Sequence, residues 1–243
     1  MVNEPAIVTI IDQDMVFFIS FISNTSVKAS IPRKYVVKTL IIFRNLNNLR
    51  TRNILAIRAN RTNLPARIIR LPGGKGIEVI NQFFDQPLAE KITQTYQKAD
   101  AILSANVMCH IPYMHSIYDG VKTLLSDDGV FIFEDPYLGE IIEKTSFDQI
   151  YDEHVFLFSA LSISHLAKMH DLELINVEPQ VTHGGSMRYT IAHKGVKAVS
   201  QNVTNLIEKE KNLGLDSAQA YTGFTDSVNK IRDDLIELLN KLK

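Results

Sequence analysis

The sequence predicts an α/β fold, and three observations carry that prediction. From Gly76 onward, short apolar segments of strand length alternate with longer segments of helical periodicity. Proline, glycine and an Asp-Asp-Gly run punctuate the connections. The apolar segment at residues 131–137 ends in Glu134, Asp135 and a proline, as a buried strand does where it meets a functional loop. The order strand, helix, strand, helix, strand at these spacings calls for right-handed crossovers and a mostly parallel sheet. This is Rossmann-like architecture, followed here by C-terminal helices.

Each element has its own signature. Residues 76–80 read as a short strand running into residues 81–85. Pro87 sits where a first helical turn tolerates proline, and Leu88, Ile92 and Tyr96 recur at four-residue spacing, so a helix extends to about Lys98. Residues 100–105 form a second buried strand and residues 106–112 a loop. Residues 113–125 form a helix with Met114, Ile117, Val121 and Leu124 on one face. Asp127, Asp128 and Gly129 then turn the chain into the third strand. Residues 159–170 read as another helix, and residues 172–177 and 187–192 as two late strands. The turn at His183, Gly184 and Gly185 joins them, and they can form an antiparallel edge pair. The tail, residues 196–243, reads as helical throughout, broken at Gly214. Its stripe of Tyr221, Phe224, Val228, Ile231, Leu235, Leu238, Leu239 and Leu242 needs a partner surface, whether the sheet, a second copy or a downstream domain.

Composition narrows the function classes. At 243 residues and 45% hydrophobic, the chain can bury one substantial core plus appended helices. Its single cysteine, Cys109, excludes an internal disulfide framework and a cysteine-rich zinc site, and fits a reducing, cytoplasmic setting. The apolar run at residues 15–23 is short and preceded by Glu4, Asp12 and Asp14, so neither a spanning helix nor a signal peptide is expected. The net charge of −1 hides an asymmetry: between Asp14 and Glu78 there is no acidic residue, while twelve basic ones lie there. A block of that kind points to a nucleic-acid or anionic partner. Among the basic residues themselves, from Lys28 to Lys75, only Tyr35 and Phe43 offer rings for base stacking, so nucleic-acid binding through the basic N-terminal third stands as the alternative function.

The chemistry concentrates between Phe147 and His154, where a phenol, three carboxylates and an imidazole occupy one short run. Histidine most easily supplies a base near neutral pH, and a neighbouring phenol or carboxylate can orient its ring. Tyr151, Glu153 and His154 are therefore candidates for proton transfer, against the alternative of a solvated acidic loop with a structural histidine. No metal site is expected, because no second ligand pair at helical or hairpin spacing accompanies the run. His110 follows the neighbouring strand and belongs to the same sheet edge as Glu134 and Asp135, where open α/β sheets bind ligands. His183 serves the glycine turn. The glycine cluster at residues 71–76 lacks a convincing preceding strand and the Lys-Ser/Thr close of a phosphate-binding loop.

Four segments in order carry a specific resemblance: Asn106-Val-Met-Cys-His-Ile-Pro112, Phe133-Glu-Asp-Pro-Tyr-Leu-Gly139, Lys144-Thr-Ser-Phe-Asp-Gln-Ile-Tyr-Asp-Glu-His154 and His183-Gly-Gly-Ser-Met-Arg-Tyr189. With them, residues 76–193 resemble the sugar-nucleotide C-methyltransferases, which use S-adenosylmethionine to methylate a ring carbon of deoxysugars. The resemblance implies a class I methyltransferase core and a thymidine-diphosphate 4-keto-deoxysugar substrate. It further implies His154 as the base that forms an enolate, Tyr151 and Glu153 as its positioning partners, and His110 beside the ketone oxygen. Phe84, Asp85 and Asn106 are the cofactor-side residues it implies.

Departures from the family pattern divide the chain into three. Residues 1–75 lack the family's cysteine-rich zinc module and glycine-rich cofactor loop, and Arg58 stands where the family has an acidic residue, so this basic region reads as foreign or frame-shifted sequence. Residues 76–195 form the core. Residues 196–243 resemble the helical connector toward the family's last domain, which makes the chain a fragment of the family's full architecture, its activity dependent on how much of the cofactor site survives.

Overall fold

The computed structural model describes residues 38–43, 54–59, 68–70, 76–80 and 82–242. The first four segments are the strands β1 (Lys38–Phe43), β2 (Ile54–Ala59), β3 (Ile68–Arg70) and β4 (Gly76–Ile80). There follow α1 (Gln86–Thr95), β5 (Ala99–Ala105), α2 (Met114–Leu124), β6 (Leu125–Pro136), α3 (Leu138–Lys144), α4 (Ala160–Met169), β7 (Leu172–Gln180), β8 (Ser186–His193), α5 (Gln201–Asn212) and α6 (Ala218–Lys241). The basic surface expected from the N-terminal third, and the foreign or frame-shifted origin expected for residues 1–75, lie outside the described side chains.

All eight strands join one sheet in the order β3-β4-β2-β1-β5-β6-β8-β7. β5 and β6 are parallel neighbours linked through α2, as the strand-helix-strand pattern predicts. The sheet as a whole is mixed, however, rather than mostly parallel: β1 lies antiparallel between β2 and β5, and β3 is antiparallel to β4. The reason is connection length, since a parallel crossover takes a dozen or more residues and only ten separate β1 from β2. The late strands pair antiparallel as expected, with β7 at the edge and β8 between it and β6. Following the pairings through, β2, β4, β5, β6 and β7 run one way and β1, β3 and β8 the other. The loops after β4, β5, β6 and β7 therefore leave the same edge of the sheet.

Local chemistry sets the helix ends. Asp85 caps α1, its carboxylate accepting from the Leu88 N–H at 2.8 Å, with Pro87 in the first turn. Ser159 and Ser162 form a capping box at the start of α4. The core lies between the sheet and these helices. Leu88, Ala89 and Ile92 of α1 and Ile117, Tyr118, Val121 and Leu124 of α2 pack with Ile102, Phe131, Phe133 and Tyr189 of the strands. Tyr118, Phe131, Phe133 and Tyr189 are all fully buried.

Two expectations about boundaries change. Asp127, Asp128 and Gly129 make no turn: they belong to β6, where the register slips between the Ala99 and Ala101 partners. A Cβ at Gly129 would come 2.8 Å from the Ala99 carbonyl, so glycine allows this close passage. The tail is not helical from residue 196. The Ser200 N–H instead donates to the Ile175 carbonyl, and α5 begins at Gln201. The break at Gly214 stands, at a left-handed φ of 73°. The apolar stripe of α6 remains uncovered among the described residues, with Ile231, Leu235, Leu238, Leu239 and Leu242 all exposed. No helix of the described residues is long and apolar enough to cross a membrane.

Candidate active site

Two loops leaving neighbouring parallel strands build the site. After β5, Asn106 adopts a left-handed φ of 53° and donates its N–H to the Glu134 carbonyl at 2.8 Å. A 3-10 turn at Met108–His110 follows. Met108 and Cys109 point inward, each 1% exposed, while His110 stays half-buried on the outer side. The turn rests on Asp135, whose Oδ1 accepts from the Cys109 N–H at 3.4 Å. Burial pushes the Asp135 carboxyl up to about 7, against the hydrogen bonds from the Cys109 thiol and from the Cys109 and Met108 backbone, which favour the carboxylate.

After β6, the chain makes α3 and a 3-10 turn at Phe147–Gln149, then delivers Tyr151 and His154 to the same edge. The loop is tied down at its far end: the Phe156 N–H donates to the Cys109 carbonyl at 3.1 Å, and the Leu138 N–H to the Phe158 carbonyl at 2.9 Å. His154 Nδ1 lies 2.8 Å from the Gln149 carbonyl, and its Nε2 lies 2.8 Å from the Tyr151 hydroxyl. His110 Nδ1 lies 2.7 Å from the Glu153 carbonyl. A carbonyl can only accept, so both rings carry a proton on Nδ1. The neutral His154 ring then presents its Nε2 lone pair to the Tyr151 O–H. The two imidazoles stand with centroids 5.0 Å apart. Partial burial raises the Tyr151 phenol above its ordinary range, with the Cys109 thiol and the Glu153 carboxylate adding to the shift, so Tyr151 is a donor rather than a phenolate.

The predicted site residues thus fall into two groups. His154, Tyr151 and His110 converge, and Glu153 contributes through its backbone carbonyl to His110 while its side chain is exposed. Phe84, Asp85 and Asn106 stand along the same edge, after β4 and β5, but in different states. Phe84 is 6% exposed and packs in the core, whereas its neighbour Phe83 is 56% exposed. The Asp85 carboxylate caps α1 and faces Tyr113, whose phenol is raised first by burial and then by that charge. His183 is exposed, at a left-handed φ of 51°, on the turn after β7. That turn also closes on the edge: Thr182 donates to Glu134 Oε1 at 3.0 Å, and Arg188 pairs with Glu134 Oε2 at 2.9 Å. Sequence reasoning missed Asp135 as the platform and Cys109 as a site neighbour. The available signal was their position, one next to His110 and the other at the strand end that the two loops share.

Residues 43–177 match the family described as methyltransferase domain, and residues 181–243 match the C-methyltransferase C-terminal domain. The C-methyltransferase NovU of Streptomyces niveus is 30% identical over 177 residues, which cover 72% of this chain and 42% of that protein. The chain therefore spans less than half the length of this relative. Among solved structures, a SAM-dependent methyltransferase from Anabaena variabilis aligns over 50% of this chain and 61% of its own, at 13% identity and a TM-score of 0.37. Magnesium protoporphyrin IX methyltransferase of Synechocystis PCC 6803, solved with bound SAH, aligns over 51% and 54%, at 14% identity and a TM-score of 0.35. With a methyltransferase domain over more than half its length and the C-methyltransferase C-terminal segment after it, the chain belongs to the S-adenosylmethionine-dependent C-methyltransferase family.

Proposed function

We propose that this chain methylates a ring carbon of a nucleotide-linked 4-keto-deoxysugar, with His154 as the base. The observation that carries the reading is the His154 ring itself. Its Nδ1 is fixed by the Gln149 carbonyl, its Nε2 lone pair is held by Tyr151, and His110 stands 5.0 Å away at the open edge of the sheet. A ketone acidifies the hydrogen on the adjacent carbon, and a neutral imidazole with an oriented lone pair can remove it. The electron pair of that C–H bond moves into the enolate, and the proton stays on Nε2. The Gln149 carbonyl then stabilises the imidazolium through Nδ1–H. A proton carried on His110 Nε2 would donate to the enolate oxygen, the electrostatic stabilisation such a step needs. The relative's name, a C-methyltransferase, agrees with carbon rather than oxygen as the nucleophile.

The donor side is chemically suited to an adenosyl sulfonium. Exposed Phe83, half-exposed Tyr113, the Asp85 carboxylate and Asn106 offer aromatic faces, a negative charge and an amide along one stretch of the edge. S-adenosylmethionine, when bound, supplies the electrophilic methyl group that the enolate carbon takes. The role of the chain is to generate that carbanion where the donor binds and to keep its charge compensated.

Proton exchange tests the base separately from the donor. In deuterated buffer with a thymidine-diphosphate 4-keto-6-deoxysugar and no methyl donor, the hydrogen on the carbon next to the ketone should exchange, as read by NMR. His154→Gln should stop the exchange. Exchange that survives in the variant would remove His154 from this role.

A further inference from the structure

We propose that Cys109, His110 and His154 form a zinc-binding site at the mouth of the active site. One ligand atom from each of the three lies within 4.8 Å of the others, the only such trio of histidine, cysteine or carboxylate side chains among the described residues. The sequence offers no second ligand pair at helical or hairpin spacing. The fold supplies it by bringing the turn after β5 against the loop after β6.

The donor set and its surroundings match what Zn²⁺ requires. One thiol and two imidazoles are borderline-soft ligands of the kind zinc selects over magnesium or calcium. Zinc-bound histidines usually donate their other ring N–H to a carbonyl or carboxylate, which fixes the tautomer and aims the lone pair. Both rings already do so, His110 to the Glu153 carbonyl at 2.7 Å and His154 to the Gln149 carbonyl at 2.8 Å. Each Nε2 is thereby the ligating nitrogen. The buried Cys109 sulfur forms the floor and the two half-buried histidines the sides, so an ion enters from the open edge. Ligand atoms around a tetrahedral zinc sit roughly 3.3–3.6 Å apart, so a pair at the 4.8 Å limit must close by about 1 Å. Closing the trio shifts the two loops that carry the histidines, a change that metal binding has to drive. Coordination takes the thiol as thiolate and releases its proton to solvent, and it displaces the Tyr151 hydroxyl from His154 Nε2, leaving that oxygen or a water for the fourth position. A metal held there occupies the lone pair that the proposed reaction uses.

This inference shares residues with the proposed reaction but is read without substrate or methyl donor. Cobalt(II) is the probe, because a thiolate-to-cobalt charge-transfer band can come only from the single cysteine. Titrating the reduced full chain with Co²⁺ should give that band and the intense visible bands of a tetrahedral ion, saturating at one equivalent and bleached by Zn²⁺. Cys109→Ser should lose the charge-transfer band. His110→Ala and His154→Ala should each weaken binding by roughly tenfold or more, while His115→Ala should leave it unchanged. Absence of the band, or a band indifferent to both His110 and His154, overturns the site. Proton exchange without metal binding would leave the proposed reaction standing alone, and metal binding without exchange would do the reverse.

Discussion

Two histidine pairs in this molecule have nearly the same separation and different meanings. The rings of His110 and His154 stand 5.0 Å apart, those of His115 and His170 5.1 Å apart. In the second pair, His170 Nδ1 lies 2.6 Å from Asp119 Oδ1 and its Nε2 lies 2.9 Å from His115 Nδ1. Every nitrogen of the buried His170 is thus spent inside the protein, pinning the end of α4 to α2. In the first pair, each ring gives Nδ1 to a backbone carbonyl, and the Nε2 of His154 meets a hydroxyl at the open edge. Residue type and distance do not separate a structural pair from a chemical one. What separates them is which nitrogens the fold consumes.

The sharpest test exchanges the two pairs. Loss of the base costs about 10²–10⁴-fold in rate for general base catalysis, so His154→Ala should lower methyl transfer and proton exchange by that range with little change in stability. His170→Ala should do the opposite: it leaves the Asp119 carboxylate and the His115 N–H without their partner, a loss of about 1–2 kcal/mol, while turnover at saturation stays within a few-fold. Urea denaturation and steady-state rates on both variants check the contrast. Equal activity losses would break it.

A second contrast lies between the two ends of α4. The C-terminal end carries His170, and the N-terminal end follows directly on the loop that bears His154. Glu210 of α5, fully buried, accepts from the Ala160 and Leu161 N–H groups at 2.7 and 2.8 Å. A carboxylate at a helix N-terminus satisfies donors that would otherwise be orphaned and complements the helix dipole. Glu210→Ala should cost about 2–3 kcal/mol in urea denaturation. Because Phe158 and Ser159 anchor the site loop beside it, the variant should also raise the proton-exchange KM. A stability loss with unchanged exchange kinetics would show that the anchor serves the helix alone.

How much of this was legible in the sequence follows from range. The β5-α2-β6 unit and the β7-β8 hairpin were readable because their periodicities and short connections are local. The convergence of Tyr151 with His154 was readable too, being three residues apart. His110 could be placed at the right edge, since loops after neighbouring parallel strands must meet there. What could not be read depends on distant partners. Asp127, Asp128 and Gly129 look like a turn until the Ala99 carbonyl approaches; Phe84 looks available to a cofactor until Gly120 and the core close over it. Glu210 looks like one more exposed charge on an amphipathic tail until the start of α4 is placed against it. Cys109 was legible in the sequence as a lone thiol beside His110, but not as a neighbour of His154, which approaches from a loop more than forty residues away.

The smallest expected effect concerns the protonation of the Glu210 anchor. Burial raises its carboxyl above the ordinary glutamate range, more than the backbone N–H groups and the Tyr137 hydroxyl lower it. A raised folded-state value means that the folded chain binds a proton more tightly than the unfolded chain does. The stability tied to that proton is fully present below the ordinary glutamate pKa and is lost as pH rises through the raised value. Thermal unfolding should therefore show a shallow decline of Tm on the alkaline side of the ordinary glutamate range. Glu210→Gln keeps the shape and one of the two acceptor oxygens, sets its amide NH2 against the other backbone N–H and cannot titrate, so it should lower Tm overall and flatten that segment of the profile. If Glu210→Gln keeps the slope, the pH response does not belong to the Glu210 carboxyl and the anchor at the start of α4 acts by hydrogen bonding alone.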